Sequence, residues 1–382
     1  MRINGKSKIL LVLWMISLGW FVGCGKVEKA GVTKEEEVKI ALAGPLTGDI
    51  AAMGQGMSNA CKMAIDDANA SLKLKGIRLE FLPVDDRADP QEAVTIANQL
   101  ISDQKVIGVI GHLNSGCSIP ASKVYHQKKI VMITPASTNP GLTLQGFKNV
   151  FRVCTTDDVQ GSFAADLVYK KLGLKKVSII HDKTPYGQGL AEEFKKQFTA
   201  NGGNPLSFDG INIGDKDFKA LLIKINANKP EAIYFGGVYS ECGLIAKQAK
   251  EIGFSGTIIT GDGVFSPEYI KIGGKATENN IITMVGSPPE KLPLAAEFIK
   301  RYKKKYPNVD IQPYDAYTYE ATNILIDAIS HVGTDKNAII DYICDVEYKG
   351  ILGTTSFDEK GDTLNRIITA YIVKDGKFEV LK

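Results

Sequence analysis

Apolar and polar positions fall in blocks along this chain. Short apolar runs give way to stretches in which apolar residues recur every three or four positions, with Gly-, Ser-, Thr- and Pro-containing segments between them. The runs predict strands at 38–42, 77–84, 106–110 and 130–133, with helices at 56–70 and 90–102. A second series follows, with helices at 159–171, 189–201, 218–227 and 241–252 and strands at 176–181, 206–211, 232–236 and 256–260. Helical patterns at 289–306 and 313–332 then lead into short C-terminal strands. Strand and helix in alternation mark a parallel α/β architecture, and two series of similar size imply two doubly wound parallel-sheet lobes.

The first residues follow a different pattern. Arg2, Lys6 and Lys8 precede an apolar run from Ile9 to Val22, closed by Gly23 and Cys24. A basic start, a short apolar centre and small residues at the cut predict a signal peptide over 1–23. The run falls short of the roughly 20 residues a membrane-spanning helix needs. The Lys-, Glu- and Gly-rich stretch that follows, to residue 37, reads as a tether.

The length of 382 residues accommodates two domains with a core in each. Three of the 46 basic residues lie in the predicted signal, against 43 acidic ones in the chain, so the mature protein is near neutral. That balance argues against nucleic acid as a partner. Cys61, Cys117, Cys154, Cys242 and Cys344 are odd in number and widely spaced, which suggests buried thiols rather than a disulfide framework or a zinc site. His112, His126, His181 and His331 lack metal-ligand spacing, and His112 reads as a packed strand-end residue. No metal or cofactor is expected.

The strands at 106–110 and 130–133 each empty into a polar loop, and in an open parallel sheet both loops leave from the carboxyl edge, where such folds bind ligands. The first carries Ser115 and Gly116 ahead of a helix whose Pro120 suits a first turn, so free N–H groups there attract a carboxylate. The second offers the hydroxyls of Ser137 and Thr138 and the carbonyl of Ala136. Donors and acceptors thus converge without a reactive nucleophile. The competing readings are a bare helix cap at Ser115 and a turn at Thr138.

The strings GHL, SIPAS, MITPAST and HDKTPYGQGLA, in that order, resemble the periplasmic Leu/Ile/Val-type amino-acid binding proteins of ABC importers. The resemblance runs from about Val38 to the C-terminus. It implies a type I periplasmic binding fold whose lobes, 38–156 with 286–363 and 157–285 with 364–382, are joined by three crossover segments and close on a ligand. It also implies that Ser115, Gly116, Ala136, Ser137 and Thr138 bind the backbone of an amino acid and that Asp262 meets its ammonium. Tyr186 would wall the pocket, while Met53, Leu113, Val238 and Tyr239, with Tyr314 nearby, would surround the side chain, tilting the preference toward an aliphatic one. Asp262 between two glycines and Tyr186 near a turn also fit plain turn roles.

Cys24 resembles the acylated Cys of a bacterial lipobox, which implies a membrane-anchored, extracytoplasmic lipoprotein held by its lipid alone. The implied partners are a small amino acid, a permease and an ATPase, with the protein itself a monomer. A receptor that reports an amino acid, amide or urea to a signalling partner is the alternative. Nucleotide-binding G-x-G-x-x-G and G-x-x-x-x-G-K-[ST] motifs and the G-x-S-x-G elbow are absent, so an enzyme is not expected.

Overall fold

A computed structural model describes residues 35–382 except 72, 73, 75, 289 and 290. The predicted signal, Cys24 and most of the predicted tether lie outside the described residues. The first series comprises β1 (Glu36–Gly44), α1 (Ala51–Ala70), β2 (Ile77–Asp85), α2 (Pro90–Ser102), β3 (Val106–Gly111), α3 (Ser115–Gln127), β4 (Val131–Thr134) and β5 (Val150–Arg152). The second comprises α4 (Asp157–Asp166), β6 (Lys176–His181), α5 (Pro185–Ala200), β7 (Asn204–Gly210), α6 (Lys219–Ala227), β8 (Ala232–Gly236), α7 (Tyr239–Glu251), β9 (Thr257–Thr260), α8 (Pro267–Gly273) and β10 (Ile281–Val285). Then come α9 (Pro293–Lys305), α10 (Asp315–Val332), α11 (Lys336–Cys344), β11 (Tyr348–Gly350), β12 (Gly353–Thr355), β13 (Ile368–Lys374) and β14 (Lys377–Val380).

Two sheets result. The first runs β2-β1-β3-β4-β5, all parallel. The second runs β14-β13-β10-β9-β8-β6-β7. In it β13 and β14 join antiparallel, so this sheet is mixed rather than wholly parallel as expected. The reversal arises because the C-terminal strands form a hairpin around Asp375 and Gly376, both at positive φ, and so need no crossover helix. The chain passes between the sheets three times, because α9 and α10 return to the first lobe, where α10 packs on α1, β3 and β4, before β13 rejoins the second sheet.

Other departures are local. β1 starts at Glu36, so the predicted tether ends two residues early. α3 starts at Ser115, which leaves Pro120 inside the helix rather than in its first turn. Cys61, Cys117, Cys154 and Cys242 are buried free thiols, and Cys344 is an exposed one. Among the described residues no helix is long and apolar enough to cross a membrane.

Buried Glu320 ties the β11–β12 hairpin to α10. Its Oε1 accepts from Thr355 Oγ1 at 2.9 Å and its Oε2 from the Ile351 N–H at 2.8 Å. Burial raises its pKa to about 7. The folded protein therefore holds a proton that the unfolded chain releases above about pH 4.5, and this part of the stability is lost as pH rises toward 7. Urea midpoints at about pH 5 and about pH 7.5 are expected to differ less in Glu320→Gln than in the wild type; equal slopes would contradict this role.

Candidate ligand-binding site

The loops after β3 and β4 are locked to each other from below. Thr134 Oγ1 donates to the His112 carbonyl at 2.7 Å and accepts from the N–H groups of Ala136 and Ser137 at 3.2 and 3.0 Å. The Ser137 hydroxyl meets the carbonyls of His112 and Leu113 at 3.2 and 2.9 Å and Ser118 Oγ at 2.6 Å. Expected to face a ligand, that hydroxyl instead serves as an internal clasp. His112 is fully buried, with Nδ1 2.6 Å from Asp86 Oδ2 and Nε2 2.9 Å from the Tyr125 hydroxyl, so its ring is a fixed support.

Arg152 on β5 completes the support. Its guanidinium is wholly buried, and Nη1 donates to the carbonyls of Ser137 and Asn139, both at 2.9 Å. Nη2 reaches Thr143 Oγ1 at 2.6 Å and Nε meets Asp362 Oδ1 at 2.5 Å. These contacts bracket Thr138, whose own carbonyl accepts from the Asp157 N–H at 3.0 Å. Among the described residues the Thr138 hydroxyl, which is buried, finds no hydrogen-bond partner of good geometry.

Beside it stands a group the pattern of residues did not single out. Asp157 opens α4, is fully buried, and among the described residues neither of its carboxylate oxygens has a hydrogen-bond partner of good geometry. Burial pushes its pKa well above the ordinary range, the nearby Thr138 hydroxyl pulls it down, and the charge of Asp262 pushes it up again. Burial therefore favours the neutral carboxyl, and Asp157 does not itself line the cavity between the lobes. An Asp in the first turn of a helix is common enough in sequence to pass as a dipole partner; only burial distinguishes this one.

From the second lobe, Asp262 enters at the end of β9. Its carboxylate is held by two phenols, Tyr186 donating to Oδ1 at 2.9 Å and Tyr314 to Oδ2. Burial raises its pKa, with both hydrogen bonds opposing. The Tyr186 hydroxyl also accepts from the Gly263 N–H at 2.8 Å. A cavity of about 20 Å³ lies between the lobes, lined by Met53, Leu113, Asn114, Ser115 and Ala136 on one side and Tyr186, Val238 and Gly263 on the other, with Tyr314. That is room for about one water molecule.

Of the sequence-selected residues, Met53, Leu113, Ser115, Ala136, Tyr186 and Val238 line this void, whereas Gly116, Ser137, Thr138, Tyr239 and Asp262 do not. Gly116 sits against Pro185, Asp262 lies behind its tyrosines, and Tyr239 is a buried residue at the start of α7. Asn114, Gly263 and Tyr314 complete the wall. Contacts cross the cleft around it: Asn139 Nδ2 to the Pro185 carbonyl at 2.5 Å, and the ion pair Lys216–Asp49 at 2.8 Å.

Comparison with known proteins agrees with this architecture. The family model described as periplasmic binding protein matches residues 37–377. A Leu/Ile/Val-binding protein homolog 2 of Brucella abortus is 36% identical over 341 residues, 89% of this chain and 91% of the relative. An amino acid binding protein of Pseudomonas aeruginosa is 34% identical over 328 residues, 85% of this chain and 87% of its own length. Among solved structures, a leucine binding protein LivK of Thermotoga maritima has a TM-score of 0.83 and 35% identity, over 90% of this chain and 98% of that one. LivJ of Streptococcus pneumoniae, a branched-chain amino acid transporter substrate binding protein solved with isoleucine, has a TM-score of 0.82 and 27% identity, over 91% of this chain and 99% of that one. The chain belongs to the periplasmic binding protein family, a family of binding proteins and not of enzymes.

Proposed function

We propose that this protein captures an L-amino acid with a branched or other aliphatic side chain between two closing lobes and delivers it to an ABC importer. The lobes are 38–156 with 286–363 and 157–285 with 364–382, and a lipid on Cys24 keeps the protein at a membrane on its extracytoplasmic side. The observation that carries the reading is the pair of neighbouring buried groups, Thr138 Oγ1 and the Asp157 carboxyl, which no third residue among the described ones satisfies. The ligand carboxylate takes the free N–H groups at Ser115 and Gly116 and the Ser115 hydroxyl. Its ammonium takes Asp157, Thr138 and the Ala136 carbonyl. Met53, Leu113 and Val238 then face an apolar side chain. Relatives named for Leu, Ile and Val binding support this choice.

A ligand that binds only the folded state stabilises it by about 2.7 kcal/mol at a hundred times its dissociation constant. L-Leucine, L-isoleucine or L-valine is therefore expected to raise the melting temperature. 4-Methylpentanoate, which is leucine without its ammonium, is expected to leave it unchanged, because it gives Asp157 no partner. A flat response to every L-amino acid would remove the reading. Equal shifts for leucine and its deaminated analogue would remove the assignment of Asp157.

A further inference from the structure

The turn at 312–315 carries two side chains from the first lobe to the second. Tyr314 donates to Asp262, and Gln312 Oε1 accepts from Ser266 Oγ at 2.8 Å. Both partners lie within four residues of each other beyond β9, and Ser266 also caps α8. One turn thus grips one short segment of the opposite lobe at two points, directly beside the void. Asp310, just before the turn, pairs with Lys271 of α8 at 2.8 Å.

What shapes this turn is buried. Asp315 Oδ2 accepts from the Gln312 N–H at 2.9 Å, and the Gln312 carbonyl accepts from the Asp315 N–H at 3.2 Å. The other oxygen, Oδ1, has no hydrogen-bond partner among the described residues and faces Gly56 of α1 so closely that a methyl group there would lie 2.2 Å from it. Gly56 therefore leaves the space in which the carboxyl sits. We propose that Asp315 is a positioning residue for lobe closure, its buried carboxyl on Gly56 fixing the turn that presents Gln312 to Ser266 and Tyr314 to Asp262. This rests on the amino-acid reading above and adds a residue that touches no ligand.

The carboxyl acts in its neutral form. Burial raises its pKa to about 8, while the Gln312 N–H bond and the nearby Tyr302 hydroxyl lower it. The groups packed around it are the Tyr302 hydroxyl from α9, Gly56 from α1 and the turn itself; among the described residues no cation balances it. The folded-state pKa is raised, so the arrangement is intact at lower pH and is lost as pH rises through about 8, when the ionised group draws water and the turn shifts.

Calorimetric titration with L-leucine tests this on wild type, Asp315→Asn and Asp315→Ala. At pH 7, Asp315→Asn keeps shape and neutrality and is expected to bind within about threefold of wild type, whereas Asp315→Ala loses about tenfold or more. The ratio of wild-type to Asp315→Asn dissociation constants is expected to rise between about pH 7 and about pH 9, titration of the ligand's own ammonium cancelling in the ratio. A folded Asp315→Ala that binds like wild type, or a flat ratio, overturns the proposal. If Asp315→Ala does not fold, the ratio alone decides. A wild type that takes up no L-leucine at pH 7 brings down the amino-acid reading and the proposal together, while wild-type binding with a flat ratio brings down the proposal alone.

Discussion

Asp157→Ala is expected to weaken L-leucine binding by about 2 to 5 kcal/mol, a loss of roughly 30-fold to several thousand-fold, because it leaves a buried ammonium facing an empty site. The group is fully buried, and among the described residues only the adjacent Thr138 hydroxyl offers it a donor. Among the described residues no cation compensates its charge at close range; Arg152 acts on it only from a distance. The same geometry gives the variant a second signature. With its pKa raised in the free protein, Asp157 must lose a proton to meet an ammonium, so binding strengthens as pH rises toward that pKa and releases a proton to the buffer. Titrations in buffers of different ionisation enthalpy read that proton directly. Asp157→Asn is expected to abolish the release and flatten the pH profile. Thr138→Ala, which removes one hydrogen bond to a charged group, is expected to cost only about 1.5 to 3 kcal/mol. An Asp157→Ala protein that binds as tightly as the wild type would exclude the residue from the site.

How far the chain disclosed this arrangement depends on whether a role is set by near neighbours or by distant ones. The strands at 106–111 and 176–181 are almost wholly buried apolar runs between polar segments, and such runs declare themselves. So did the two loops beyond β3 and β4, since their composition and place at the sheet edge follow from local order. β5 did not, because three residues ending in an Arg carry no period. The role of Ser137 was misread because a hydroxyl on a loop has the same local sequence whether it points to a ligand or to the carbonyls of His112 and Leu113. Asp262 was placed correctly at the end of its strand, yet its two phenolic partners stand 76 and 52 positions away in the chain, a pairing no spacing rule supplies. Asp157 lay in plain view as a helix-start acid. Its isolation from water is a property of two lobes meeting, not of the residues beside it.

Arg152→Ala is expected to lower stability by about 3 to 5 kcal/mol, the usual result of deleting one partner of a buried ion pair and stranding the other. Asp362 would keep only the Thr143 hydroxyl at 2.8 Å and Lys360 at 3.7 Å, and the carbonyls of Ser137 and Asn139 would lose their shared donor. Arg152→Lys is not expected to rescue the protein, since a single ammonium cannot reach two carbonyls, a hydroxyl and a carboxylate at once as the guanidinium does. The double variant Arg152→Leu with Asp362→Leu separates the two components. It removes the stranded charge and is expected to recover much of the stability. It does not restore the carbonyl contacts that bracket Thr138, so leucine affinity is expected to stay reduced in the double variant even where the urea midpoint returns. Wild-type affinity in that variant would show that Arg152 holds the fold alone. A loss below about 1 kcal/mol in the single variant would place the ion pair in the range of exposed ones, contradicting the complete burial of its guanidinium.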